Sequence, residues 1–341
     1  MDYWLLAEGN HRLPHTPGAS LWVFAERLDP DVPEYGLVHP VKLGYGWLPR
    51  KLRGAMHTPV LKRMRREMRL DLTISMKATV AADLAVCGFT LQGETRARGL
   101  RRGWLTRRRM DMERQAYAAS GHIVAHSRAI ADELIGLYGI PASKITVAYP
   151  PVDEQVFQPI PTSARTRLRA ALGMPPDKVV FLFPSTGHHR KGLAALIRFF
   201  GQTDLPVLLL IAGNAPSAAL PPNVRYLGYQ RDMAPLYQAS DFTIMNSAYE
   251  PFGLVGVESV LCGTPTLQTL VTGCVETLSQ EACTTFQHDD AAQIHSAIRC
   301  ATLRAQSGSA RLESPRACLS YAPSLDEHAR ILLDLGRKVL S

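Results

Sequence analysis

Two glutamates, Glu250 and Glu258, stand eight positions apart in the run Glu250-Pro-Phe-Gly-Leu-Val-Gly-Val-Glu258. The run follows an apolar strand-like segment, Phe242–Met245, and Cys262-Gly-Thr-Pro265 comes after it. Pro251 and Gly253 prepare a turn, and a helix opens near Leu254. A helix start presents free backbone N–H groups and the positive end of a dipole, which suits a phosphate. A carboxylate there cannot bind phosphate, but it accepts hydrogen bonds from sugar or ribose hydroxyls. Glu258 is embedded in the apolar run Leu254–Leu261, where a bare charge is costly, so two merely solvated glutamates are the weaker reading. A second set of residues is Ser185-Thr-Gly-His-His-Arg-Lys-Gly192, directly after the apolar run Val179–Phe183. Arg190 and Lys191 are the first basic pair beyond that strand's carboxyl end, where a diphosphate would need neutralising. Taken alone, the same pair would also suit a solvated loop. His188 and His189 are adjacent and would point apart, so they do not read as metal ligands.

The elements around these residues alternate. In the second half the apolar runs Val179–Phe183, Val207–Ala212, Val224–Leu227 and Phe242–Met245 read as strands. Helices are expected at Lys191–Phe200, Met233–Ala239, Leu254–Leu261 and Ala292–Arg304. Continuous apolar strands joined by helices mean a parallel sheet covered on both faces. The first half reads the same way, with strands at Tyr3–Ala7, Leu72–Ser75, His122–His126 and Ile145–Ala148. Its helices are expected from Ser20, as N-cap, through Arg27, at 59–70, at Arg107–Ser120 and at Arg128–Tyr138. Ser127 is placed to cap the last of these, and Gly139 and Pro141 end it. The stretch Asp153–Thr166, with Pro159 and Pro161, reads as a linker. At about 100–200 residues per domain, 341 residues fit two domains. The expected boundaries are 1–155 for an N-terminal domain, 156–166 for the linker, 167–322 for a C-terminal domain and 323–341 for a final helix, Leu325–Leu340. Two such domains leave a cleft between them, and ligands bind beyond the carboxyl ends of open parallel sheets.

Composition narrows the partners. The formal net charge is +8, and Lys42–Arg109 alone holds 17 Lys/Arg against 4 Asp/Glu. Leu61, Met64 and Met68 recur at helical spacing among cations, and Arg96–Arg109 carries seven arginines around Trp104. A basic amphipathic surface of this kind suits an anionic membrane face. A solvated basic face whose apolar stripe packs on its own domain is the plainer alternative. Nucleic acid is not expected as a partner, because no nucleic-acid motif accompanies the charge. No apolar run reaches about 18 residues, so no span is expected, and Met1–His15 does not read as a secretory signal. The six cysteines form no CxxC pair or zinc-type spacing, and they read as buried free thiols.

The Glu-x7-Glu run, Arg190-Lys-Gly192, and Gly228-Tyr-Gln-Arg-Asp232 leading to Ala239-Ser-Asp241 together resemble glycosyltransferase family 4. The stretch His122–Asp153 is similar to the end of that family's first domain. A narrower resemblance, through Lys77–Glu94 and His188–Gly192, is to the lipopolysaccharide core glucosyltransferases. The resemblance implies an α/β protein of the GT-B fold: two Rossmann-like domains facing each other across a cleft, with the C-terminal helix packing back on the N-terminal domain. It implies a retaining hexosyltransferase that moves a sugar from a nucleotide diphosphate sugar, a UDP-sugar by preference, to a glycan or lipid-linked glycan. That points to lipopolysaccharide or other cell-surface polysaccharide synthesis, in the cytoplasm on the inner face of the plasma membrane. Arg190 and Lys191 would bind the diphosphate, with Arg190 on an exposed loop. The backbone of Gly253, Leu254 and Val255 would support the phosphates, Glu258 would hold the ribose and Glu250 the donor sugar. Tyr229 and Gln230 would lie by the base. Gly18, His15 and Lys77 are the acceptor-side candidates. The resemblance implies no metal and no other cofactor. The family's first-domain Gly-Gly pair is Gly18-Ala19 here, which leaves room for a catalytically inactive GT-B scaffold. A sugar-nucleotide epimerase or hydrolase is the other alternative.

Overall fold

The computed structural model describes residues 20–44, 50–78 and 80–340. The strand expected at Tyr3–Ala7 and the acceptor-side candidates His15 and Gly18 lie outside the described residues. Two compact units divide the chain. The first is drawn from Met1–Thr95, Leu100–Asp153 and Pro323–Ser341, the second from Arg96–Gly99 and Glu154–Ala322.

In the first unit, β1 (Trp22–Ala25) pairs in parallel with β2 (His39–Lys42). The helix expected after Ser20 is therefore a strand. Trp22-Val-Phe24 is an aromatic and β-branched run that favours extended backbone, and Trp22 stacks on His39 across the pair. Next come α1 (Arg50–Met68), β3 (Ile74–Ser75), β4 (Leu84–Cys87), α2 (Leu91–Ala97), α3 (Trp104–Ala119), β5 (His122–Ala125), α4 (Arg128–Tyr138) and β6 (Ile145–Val147). Strands β3, β4, β5 and β6 form a parallel sheet in that order. Local signals fix α4: the Ser127 hydroxyl accepts from Ile130 N at 3.2 Å, and Gly139 closes the helix. Leu61, Met64 and Met68 of α1 are half-buried, and Arg65 of the same helix pairs with Asp83 at 2.7 Å.

The second unit begins with α5 (Thr162–Ala171), which starts inside the stretch expected as linker. Arg165 and Arg169 of α5 both pair with Asp241, at 2.6 and 3.0 Å. The remaining order is β7 (Val179–Ser185), α6 (Leu193–Gln202), β8 (Val207–Gly213), β9 (Val224–Tyr226), α7 (Ala234–Ala239), β10 (Phe242–Met245), α8 (Leu254–Leu261), β11 (Thr266–Thr269), β12 (Cys283–Phe286) and α9 (Ala291–Gln306). The sheet is parallel throughout, in the order β12-β11-β10-β7-β8-β9. Alternate residues of β7 and β8 face opposite sides. Phe181, Phe183, Leu209 and Ile211 pack with Leu196, Phe200 and Ile298 from α6 and α9. Val180, Leu182, Leu208 and Leu210 pack with Leu236 and Tyr237 of α7. Burying each such Phe or Leu contributes roughly 1.5–3 kcal/mol. The topology has one consequence for the site. Because β7 and β10 are hydrogen-bonded neighbours, the loops that leave their carboxyl ends lie side by side.

The last helix, α10 (Leu325–Leu340), returns to the first unit. There Ile331, Leu332 and Leu335 cover Val86, Val124 and Ala148. The backbone bond from Val152 N to Pro323 O, at 2.7 Å, ties the returning chain to the outgoing one.

Candidate active site

Backbone contacts first bring the two loops together. Gly192 adopts φ +71°, and a Cβ there would lie 2.0 Å from Asn246 O, an approach that only glycine permits. Asn246 Nδ2 donates to Gly192 O at 3.2 Å and Ala248 N donates to Arg190 O at 2.9 Å. Arg190 and Lys191 are thereby held against the loop that carries Glu250. Gly253, at φ +86°, then turns the chain into α8. A Cβ at Gly253 would meet Thr272 Cγ2 at 2.8 Å and Glu250 Cγ at 3.1 Å. Gly253 has no side chain and opens α8 without a side-chain cap hydrogen bond.

Around this frame the side chains converge. Arg190 Nη1 donates to Glu250 Oε2 at 2.9 Å and to Tyr249 O at 2.7 Å. The other donors of its guanidinium have no partner among the described residues. The Arg190 side chain is 27% exposed and that of Glu250 14%. The expectation of a freely exposed Arg190 is therefore corrected, because a carboxylate sixty positions later holds it down. Lys191 is half-buried and its Nζ donates to Pro184 O at 3.0 Å. Burial lowers the Lys191 ammonium pKa; Glu250 and Glu258 raise it and Arg190 lowers it further. Glu258 accepts from the Tyr237 hydroxyl at 2.7 Å. Burial raises the Glu258 carboxyl pKa, while Tyr237 and Lys191 lower it. The arrangement is a pair of cations beside a helix start, flanked by two carboxylates. It can neutralise a diphosphate and accept from hydroxyl groups.

The other candidates stand apart from that cluster. Tyr229 is 56% exposed in the loop after β9, and Gln230 Nε2 donates to Leu227 O at 2.7 Å. Leu254 is exposed and Val255 half-buried at the start of α8. Lys77 belongs to the first unit and pairs with Glu26 at 3.5 Å. His188 is a positioning group that the sequence reading did not recognise. Its Nε2 donates to Asn214 O and its Nδ1 accepts from the Ser185 hydroxyl, both at 2.9 Å, locking the loop after β7 to the end of β8. Tyr237 went unrecognised as well, since its partner is 21 positions away and only α7 and α8 bring them together. A cavity of about 670 Å³ beside α6, lined in part by His189, Arg198 and His288, includes neither Glu250 nor Glu258. Among the described residues, no group of three or more His, Cys, Asp or Glu is arranged to hold a metal ion. The cysteines are free, but Cys300 is exposed and Cys283 half-buried rather than buried as expected.

Comparison with known proteins agrees across both units. The chain matches the family described as Glycosyltransferase Family 4 over residues 16–156. It matches the one described as Glycosyl transferases group 1 over residues 164–306. A probable transglycosylase of Burkholderia thailandensis is 38% identical over 322 residues, which is 94% of this chain and 88% of that one. Among solved structures, WaaG, a glycosyltransferase involved in lipopolysaccharide biosynthesis, gives a TM-score of 0.73. Its identity is 17%, over 95% of this chain and 90% of that one. Anabaena HepE in complex with UDP-glucose gives 0.68 at 19% identity, over 92% and 91%.

Proposed function

Because the chain belongs to glycosyltransferase family 4 and has the GT-B fold, we propose that it moves a sugar, with retention, from a UDP-sugar to a glycan or lipid-linked glycan. One observation carries the reading: Arg190, Lys191, Glu250 and the start of α8 meet at the carboxyl ends of neighbouring strands. Breaking the anomeric bond sends its electron pair to the departing diphosphate. Two cations and the positive end of a helix stabilise that charge. Glu250 holds the donor sugar and Glu258 the ribose. The acceptor hydroxyl forms the new bond from the face the diphosphate leaves, and its proton passes to a phosphate oxygen. No step is given to a metal ion, so turnover unchanged in EDTA is the expected result. Uridine as the base is supported by the UDP-glucose held by HepE.

The acceptor is proposed to be membrane-borne, in lipopolysaccharide or related surface-glycan synthesis at the inner face of the plasma membrane. Two observations support this: the likeness to WaaG, and a basic apolar surface on the first unit. There Trp104 is 70% exposed, and Leu100, Leu105, Arg101, Arg102, Arg107, Arg108 and Arg109 are exposed around it. Among the described residues, no helix is long and apolar enough to cross a membrane.

Thermal shift with UDP, GDP, ADP and CMP tests the donor site, with Lys191→Ala as the control. A nucleotide at 100 times its Kd stabilises by about 2.7 kcal/mol. A shift by UDP that Lys191→Ala abolishes is expected. No shift with any nucleotide would overturn the donor assignment and favour an inactive scaffold.

A further inference from the structure

Tyr237 lies in α7 with its ring almost wholly buried. The ring meets Phe157 edge-on, with centroids 6.0 Å apart, inside the core beneath Val180, Leu182 and Leu208. Thr264, just after α8, donates from its hydroxyl to Tyr237 O at 2.6 Å. The residue is thus fixed from the core side and from the backbone. A buried phenol requires a partner for its hydroxyl. Here the partner is Glu258 Oε2, at 2.7 Å. Among the described residues nothing donates to Oε1 of the same carboxylate. One oxygen is held from inside the protein, and the other is left to bind.

We propose that Tyr237 is a positioning residue for donor binding, holding the Glu258 carboxylate by Oε2 so that Oε1 accepts from a ribose hydroxyl of the nucleotide. The proposal rests on the ribose role given to Glu258 above. It adds how that role is achieved on a half-buried helix face. Without the phenol, the carboxylate loses both its fixed orientation and a charge-assisted hydrogen bond, an interaction stronger than a neutral one. Its ionisation suffers as well. The groups that face Glu258 are Tyr237 from α7, Lys191 from the loop after β7 and the Cys262 thiol at the end of α8. Tyr237 and Lys191 favour the charged form against burial. Burial holds the Tyr237 hydroxyl well above its ordinary pKa, so it remains a donor throughout.

Calorimetric titration with UDP and with inorganic diphosphate separates this role from packing, because only UDP carries a ribose. Tyr237→Phe keeps the ring and removes the hydroxyl. The variant is expected to bind UDP about tenfold more weakly at neutral pH, an effect of one charge-assisted hydrogen bond, and to bind inorganic diphosphate as wild type does. The loss of UDP affinity on acidification is expected to begin at higher pH in the variant. In a Glu258→Gln background, Tyr237→Phe is expected to add little. Equal losses for UDP and diphosphate, or wild-type UDP binding by Tyr237→Phe when Glu258→Gln is impaired, would overturn the positioning role. Wild-type protein that fails to bind UDP, or a Glu258→Gln variant that binds it normally, would instead overturn the ribose reading, and Tyr237's role with it.

Discussion

At the residue scale, the decisive contact is the ion pair between Arg190 and Glu250. A carboxylate within hydrogen-bond reach holds the guanidinium at the site before any substrate arrives, so less ordering remains for the reaction. Arg190→Ala is expected to lower kcat by about a hundredfold, the scale of one lost charge-stabilising donor. Circular dichroism should remain that of the folded protein. Unchanged turnover would remove the diphosphate role. Glu258 yields a prediction of the opposite kind. Its carboxyl titrates above the ordinary 4.5 in the folded state. Ionising it therefore opposes folding once the pH exceeds that raised value, and the penalty disappears as the pH falls below 4.5. Glu258→Gln, whose side-chain oxygen still accepts from Tyr237, should raise Tm at pH 7 and lose that advantage near pH 4, while weakening UDP binding. A Tm below wild type at pH 7 would contradict the sign. Arg190, Lys191, Glu250 and Gly253 were readable in the sequence because each sits in a short run with its motif partners. The hold of Glu250 on Arg190, and of Tyr237 on Glu258, was not readable, since folding alone joins positions so far apart.

At the element scale, two glycines shape the turns that deliver those side chains. Gly192→Ala would place a methyl group against the Asn246 carbonyl in a left-handed conformation. The conformation alone costs about 1–2 kcal/mol. Urea unfolding should show at least that loss, and UDP affinity should fall with it because Arg190 and Lys191 directly precede the turn. Wild-type stability would mean that the loop relaxes without harm. The strands of the second unit were readable wherever they are uninterrupted apolar runs, as in β7, β8 and β10. β11 was missed for a physical reason: Thr266-Leu-Gln-Thr269 is buried yet mostly polar. Its hydroxyls are satisfied internally, Thr266 donating to Thr243 O at 3.2 Å and Thr269 to Ser247 O at 2.8 Å. β1 misled in the other direction, because Ser20 looks like a cap and the segment is too short for periodicity to decide. α5 was hidden by Pro159 and Pro161, which precede it and do not interrupt it.

At the scale of the whole molecule, the densest positive charge, Lys42–Arg109, is separate in sequence from the proposed donor site. The arginines around Trp104 lie on the first unit, and Arg190 and Lys191, the cations proposed for the donor, lie on the second. Replacing Arg107, Arg108 and Arg109 with glutamine should weaken sedimentation with anionic vesicles and leave UDP affinity unchanged. Each cation contributes roughly 1 kcal/mol at such a surface. Unaltered vesicle binding would move the contact elsewhere. The return of α10 sets synthesis against folding. Leu325–Leu340 is the last described segment to leave the ribosome, yet it supplies Ile331, Leu332 and Leu335 to the core of the unit made first. The sheet of the later unit is complete by residue 286. It can close while the earlier unit still waits with Val86, Val124 and Ala148 uncovered, and such apolar surface on a nascent chain invites aggregation. A stop codon that deletes Leu325–Leu340 would therefore strip the core of the first unit, whose strands are translated long before it.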